Sequence, residues 1–173
     1  MTRSVTVVAA SLCLAVAACA KTPAEPAPNA TINEFMRLQA EPAADHIWGS
    51  VKTVSDASGV HDYRPASEAE WQALEQSADT LVALAGFVAE PDRQLVRPGV
   101  ALEAGGTLDT AAIRAKIAAN RAAFTRKARV FGAQAEAVRA AIRARDVNKL
   151  LDDGGPLQGA CEACHLEFYY PGG

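Results

Sequence analysis

Aromatic residues are scarce in this 173-residue sequence, at 6%, and β-branched runs are short. Both scarcities argue against a sheet-based core, because strands draw on aromatic and β-branched side chains to pack a pleated surface. Charge of one sign is also lacking. The 17 Lys and Arg nearly balance the 20 Asp and Glu, and the net charge of -3 points to neither nucleic acid nor an anionic membrane surface as a partner. The apolar run from Val5 to Ala18 is too short to span a bilayer comfortably. Cysteine and histidine are few, so a four-ligand zinc site would have to gather Cys19, His46 and His61 from scattered positions. What remains is an alanine-rich chain, 50% apolar, long enough for one domain with a proper core. The expected class is all-α.

Residues 1–20 have the form of a targeting segment, with Arg3 as the positive n-region ahead of the apolar run. Val16-Ala17-Ala18-Cys19 resembles a bacterial lipobox, which would make Cys19 a lipidated N-terminus tethering the protein to a membrane. Ala18-Cys19-Ala20 also meets the ordinary A-x-A cleavage pattern. Either route predicts export to the periplasm. Residues 21–30, with Pro23, Pro26 and Pro28, read as an extended tether ahead of a domain at 31–173.

Four helices are expected in that domain. Thr31 with Glu34 forms a capping box for the first, which runs to about Lys52 with a kink at Pro42 or a restart at Ala43. A loop follows over Ser55 to Ala66. Ser67 with Glu70 caps the second helix, which ends before Pro91. The stretch from Pro91 to Leu108 loses helical rhythm, and an irregular connection of that length is more often functional or mobile than neutral. Asp109 caps a third helix of about eight turns to Arg145. Its nine basic residues against the single acid Glu136 make a solvated face or a docking surface for an acidic partner. Asp146 caps the fourth, which Gly154-Gly155-Pro156 should kink or interrupt. In this order the helices form an antiparallel up-down-up-down four-helix bundle.

Near the end of the fourth helix stands Cys161-Glu162-Ala163-Cys164-His165. This C-x-x-C-H spacing is the attachment signature of c-type haem. One helical turn presents two thiols to the haem vinyl groups and an imidazole to the iron. From the chain's own composition, a chance occurrence is expected roughly one or two times in a thousand. A thioredoxin-like dithiol would need a βαβ setting, and a structural disulfide is strained across a single turn. One haem c is therefore expected, held by Cys161, Cys164 and His165. In a four-helix bundle the start of the first helix and the end of the fourth lie at the same end, so Met36 comes level with His165, whereas His46 and His61 lie farther off. Met36, the single methionine beyond the targeting segment, is a second axial ligand or a packing residue.

With these residues, the chain resembles the class II c-type cytochromes, the cytochrome c-prime group and its low-spin, methionine-ligated relatives. The resemblance covers about Thr31 to Pro171. It implies thioether bonds at Cys161 and Cys164, a proximal His165, and a ligand or distal-pocket role for Met36. It also implies redox partner proteins and is compatible with a homodimer. The sequence departs from the family at Tyr169, where a basic residue is common, and in the length of the 91–108 connection. The expected function is one-electron transfer by a non-enzymatic monohaem cytochrome; the alternative is a five-coordinate protein that binds NO or CO.

Overall fold

The computed structural model describes residues 29–102 and 105–172. The expected targeting segment, Cys19 and most of the tether lie outside the described residues. The order is α1 (Ile32–Phe35), a π-helical turn (Met36–Ala40), α2 (Glu41–Ser50), β1 (Lys52–Asp56), β2 (Gly59–Tyr63), α3 (Glu68–Ala89), α4 (Thr110–Ala119), α5 (Arg121–Arg143) and α6 (Val147–Phe168). The described residues are mostly helical, as the composition leads one to expect, with one small antiparallel hairpin among them.

The helices α1, α3, α4 and α6 start where the local chemistry asks. Thr31 and Ser67 form reciprocal capping boxes with Glu34 and Glu70. Asp109 accepts the Ala112 N–H at 2.8 Å and Asp146 that of Lys149 at 2.9 Å, satisfying first-turn donors that have no intrahelical partner.

Contacts along their lengths give the helices their directions. Phe35 stacks on Phe87 at 4.8 Å and His46 Nδ1 meets Ser77 Oγ at 2.9 Å, so α2 runs antiparallel to α3. Arg145 pairs with Glu68, Arg139 with Asp79 at 3.1 Å, and Arg121 donates to the Ala89 carbonyl at 2.9 Å, so α5 runs antiparallel to α3. Phe124 meets Phe168 edge-on at 5.2 Å and Lys127 pairs with Glu167 at 3.2 Å, which makes α6 antiparallel to α5. Leu74, Leu81, Ile113, Ile142, Leu150 and Leu157 are essentially inaccessible. Burial of each contributes about 1.5–3 kcal/mol.

The structure corrects four expectations. The loop at 55–66 is largely a hairpin, with Lys52 opposite Tyr63 and Asp56 opposite Gly59. Its turn closes because the Asp56 carboxylate accepts the Ser58 N–H at 2.7 Å and Gly59 takes φ +133°, a conformation only glycine adopts easily. The single long third helix divides at Asn120, whose φ of -139° leaves the helical range while its side chain caps α5. The apolar rhythm from Ile113 to Phe124 passes over this break unaltered. Of the kink or interruption expected at Gly154-Gly155-Pro156, the interruption does not occur: α6 continues through Pro156, with Leu150, Leu157 and Ala160 buried to either side of the missing N–H. The restart near Pro42 comes at Glu41, preceded by the π-turn.

The 91–108 connection, described except at 103–104, is tied to α1. The Ile32 and Asn33 N–H groups donate to the Gln94 and Leu95 carbonyls at 2.9 and 3.0 Å. Arg97 pairs with Glu34. That guanidinium and the Thr31 N–H hold the Glu34 carboxyl below its ordinary range, so the tie persists at neutral pH and is lost as the acid is protonated.

At Gly132 a Cβ would stand 2.8 Å from the Ala85 Cβ, which has no rotamer by which to yield. Gly132→Ala should therefore destabilise the protein by about 1–2 kcal/mol in denaturant melts, despite the better helix propensity of alanine. Gly86→Ala on α3, where nothing lies within 4 Å, should stabilise it by about 0.5–1 kcal/mol.

Candidate functional site

The last two turns of α6 hold the sequence motif in a half-buried position. Phe168 is buried against Phe124, and the helix end is closed by the Tyr169 and Tyr170 N–H groups, both donating to the His165 carbonyl at 2.8 and 2.9 Å. Leu108 N–H donates to the Tyr169 carbonyl at 2.9 Å, fastening the connection before α4 to the same end. Lys116 Nζ reaches the Glu167 carbonyl at 3.1 Å, so α4 also braces this end.

Within this frame Cys161 and Cys164 are free thiols, half-buried side by side on α6. Burial pushes both thiols up, that of Cys164 to about 11 even though nearby Lys127 opposes the shift. Burial also lowers the pKa of His165, so its ring is neutral near pH 7 with a lone pair available. The ring packs against Tyr169 at 5.4 Å and Tyr170 at 5.9 Å, and neither nitrogen has a hydrogen-bond partner among the described residues. Two unpaired thiols and one uncommitted neutral imidazole within a single turn are the donor set that covalent haem requires. The residues present fit the group.

Met36 belongs to the same end of the molecule. Phe35 beside it stacks on Phe87 near the end of α3; Arg121 at the start of α5 caps the last α3 carbonyls; and Phe124 touches Phe168. Trp48 on α2 lies against Gly154 on α6, where a Cβ would come within 3.8 Å of its ring. Twelve residues back from Trp48 is Met36, and twelve on from Gly154 is Leu166. At about 1.5 Å per residue, the antiparallel helices place Met36 near the level of His165. Met36 is half-buried and packs against the core.

The other histidines are occupied elsewhere. His46 bonds to Ser77 on α3, and His61 sits on the exposed hairpin, 2.8 Å from Ser58 Oγ and 3.4 Å from Asp56.

The basic face read from the third helix is largely engaged within the molecule. Arg139, Arg143 and Arg145 pair with acids on α3, Lys127 with Glu167, and Arg114 and Arg121 donate to backbone carbonyls. The sequence carried a signal for this in Glu68, Glu75 and Asp79, spaced along one face of α3. Arg126 and Arg129 make no ion pair among the described residues. Arg126 and Lys127 border a groove of about 300 Å³ between α5 and α6, beside Ala163 of the motif.

The family model described as Cytochrome C' matches residues 52–169, from the hairpin through the whole C-x-x-C-H turn. The chain belongs to the cytochrome c' family. Membership makes this protein a c-type cytochrome and implies that it binds haem c. The matched region contains Cys161, Cys164 and His165 but begins after α2, leaving Met36 outside it. No curated protein and no solved structure matches this cytochrome.

The raised Cys164 pKa has a direct consequence in protein made without haem. Only the thiolate alkylates, so at pH 8 Cys164 should react with iodoacetamide about a hundredfold more slowly than an exposed thiol. The rate should climb until the pH approaches 11. Peptide-resolved mass spectrometry gives the rate at this cysteine.

Proposed function

We propose that this cytochrome is a periplasmic carrier of single electrons, with one haem joined to Cys161 and Cys164, His165 as one axial ligand and Met36 as the other. The observation that carries the reading is the free, half-buried pair of thiols with the uncommitted His165 imidazole on one turn of α6. When bound, haem supplies a one-electron iron couple, and a thioether opposite an imidazole favours the reduced state. The chain's contribution is to exclude water from the imidazole, to hold its ring between the helix end and the two tyrosines, and to restrict movement through packing against α5. In this reading α1 with α2, α3, α5 and α6 make up a four-helix bundle, with α4 and the hairpin as additions. Cys19 is the lipid-bearing residue that tethers the protein to a membrane, and redox proteins are its partners. It is a carrier, not an enzyme.

The gas-binding character of the cytochrome c' family favours a second reading, in which the iron is five-coordinate and binds NO or CO over an open Met36 face.

Optical spectra of the holoprotein separate the two. On the electron-transfer reading the oxidised protein is low-spin with a far-red sulfur-to-iron band, the reduced protein takes up carbon monoxide poorly, and Met36→Ala abolishes the band. A high-spin spectrum that shifts with carbon monoxide and ignores the substitution would establish the gas-binding reading. In either case Cys161→Ser and Cys164→Ser should each lose one thioether bond, read as a red shift of the alkaline pyridine haemochrome. An unchanged haemochrome in both would remove these cysteines from the attachment site.

A further inference from the structure

Before α2 the helix contains one residue more than an α-helix of its length would hold. The Glu41 N–H donates to the Met36 carbonyl five residues back, and Met36–Ala40 is a π-turn. Burial shows the same offset. Phe35 and Ala40, five apart, are both buried at 1% and 6% exposure, whereas α-helical neighbours on one face stand three or four apart. Leu38, inside the turn, is 71% exposed.

Pro42 accounts for the offset. It has no N–H to offer the Leu38 carbonyl, and its ring crowds that carbonyl in a regular helix. A widened turn immediately upstream removes both conflicts.

The offset decides which side chain enters the core. Counting back four from Ala40 in a straight α-helix gives Met36, which would take the core position, with Phe35 about 100° around the helix. In the structure Phe35 holds that position, stacked on Phe87, and Met36 stays half-buried beside it.

We propose that Pro42, through this π-turn, is the positioning residue that keeps Met36 out of the core and presents it to the haem iron. This rests on the reading of Met36 as an axial ligand, and the test separates the two.

Far-red absorbance and carbon monoxide uptake are measured for four holoproteins: the parent, Met36→Ala, Pro42→Ala, and Pro42→Ala with Leu38 deleted. Haem content and far-ultraviolet circular dichroism check that each is folded and loaded. Pro42→Ala lets the helix close, and is expected to lose most of the far-red band and to gain carbon monoxide uptake, with helix content unchanged. Deleting Leu38 as well brings Phe35 back to four residues before Ala40, and should restore both properties. A band unaffected by Met36→Ala would overturn the ligation reading itself. A band lost in Met36→Ala but kept in Pro42→Ala would overturn the role of Pro42 alone. Failure of the Leu38 deletion to restore the band would overturn the register explanation.

Discussion

The packing of the last turns of α6 against α5 is the contact on which the rest of the structure depends. It must take Cys161, Cys164 and His165 far enough out of water to keep the imidazole neutral and the thiols protonated, yet leave the thiols without a disulfide and the imidazole without a hydrogen-bond partner among the described residues. Phe124 and Phe168 supply the apolar part of that contact, and the Lys127–Glu167 pair closes its outer side. The backbone bond from Leu108 to Tyr169 and the reach of Lys116 to Glu167 bring α4 and the preceding connection to the same end. The irregular segment between α3 and α4 thereby becomes part of the frame around the motif.

Charge is organised for the same purpose. The bases of α5 face the acids of α3, with Arg139 between Asp79 and Glu136 and Arg143 between Glu75 and Asp79. Partly exposed pairs of this kind contribute little individually, about 0–1 kcal/mol each. Arranged along two antiparallel helices they also disfavour a slipped register, because a shift of one turn brings the bases out of reach of the acids. Arg126 and Arg129 stand apart from this arrangement, and Arg126 borders the groove beside Ala163 of the motif.

Some of this was legible from local chemistry. Thr31, Ser67, Asp109 and Asp146 each start a helix by bonding to a nearby N–H, an event confined to four consecutive residues. The hairpin was not legible: its side chains are mostly exposed, so no alternation of apolar and polar residues betrayed it. The break at Asn120 was hidden because Ile113, Ile117 and Phe124 keep helical spacing across it. The uninterrupted course of α6 through Pro156 depends on packing to either side, which no window around the proline contains. The π-turn left a trace in the step of five from Phe35 to Ala40, yet that step gains meaning only once both are seen to be buried.

The sequence by itself determined that two thiols and an imidazole stand on one helical turn, because C-x-x-C-H has that spacing whatever surrounds it. It likewise determined a helical chain, through its alanine content and four capping residues. Only the tertiary structure decided that His165 is half-buried with no hydrogen-bond partner among the described residues, and that Arg139 and Arg143 of α5 are engaged by acids of α3. The reason is the range of the interactions. Capping and motif spacing act within one or two turns of chain, whereas shielding, ion pairing between helices and helix level depend on residues far apart in sequence that meet only when the helices pack.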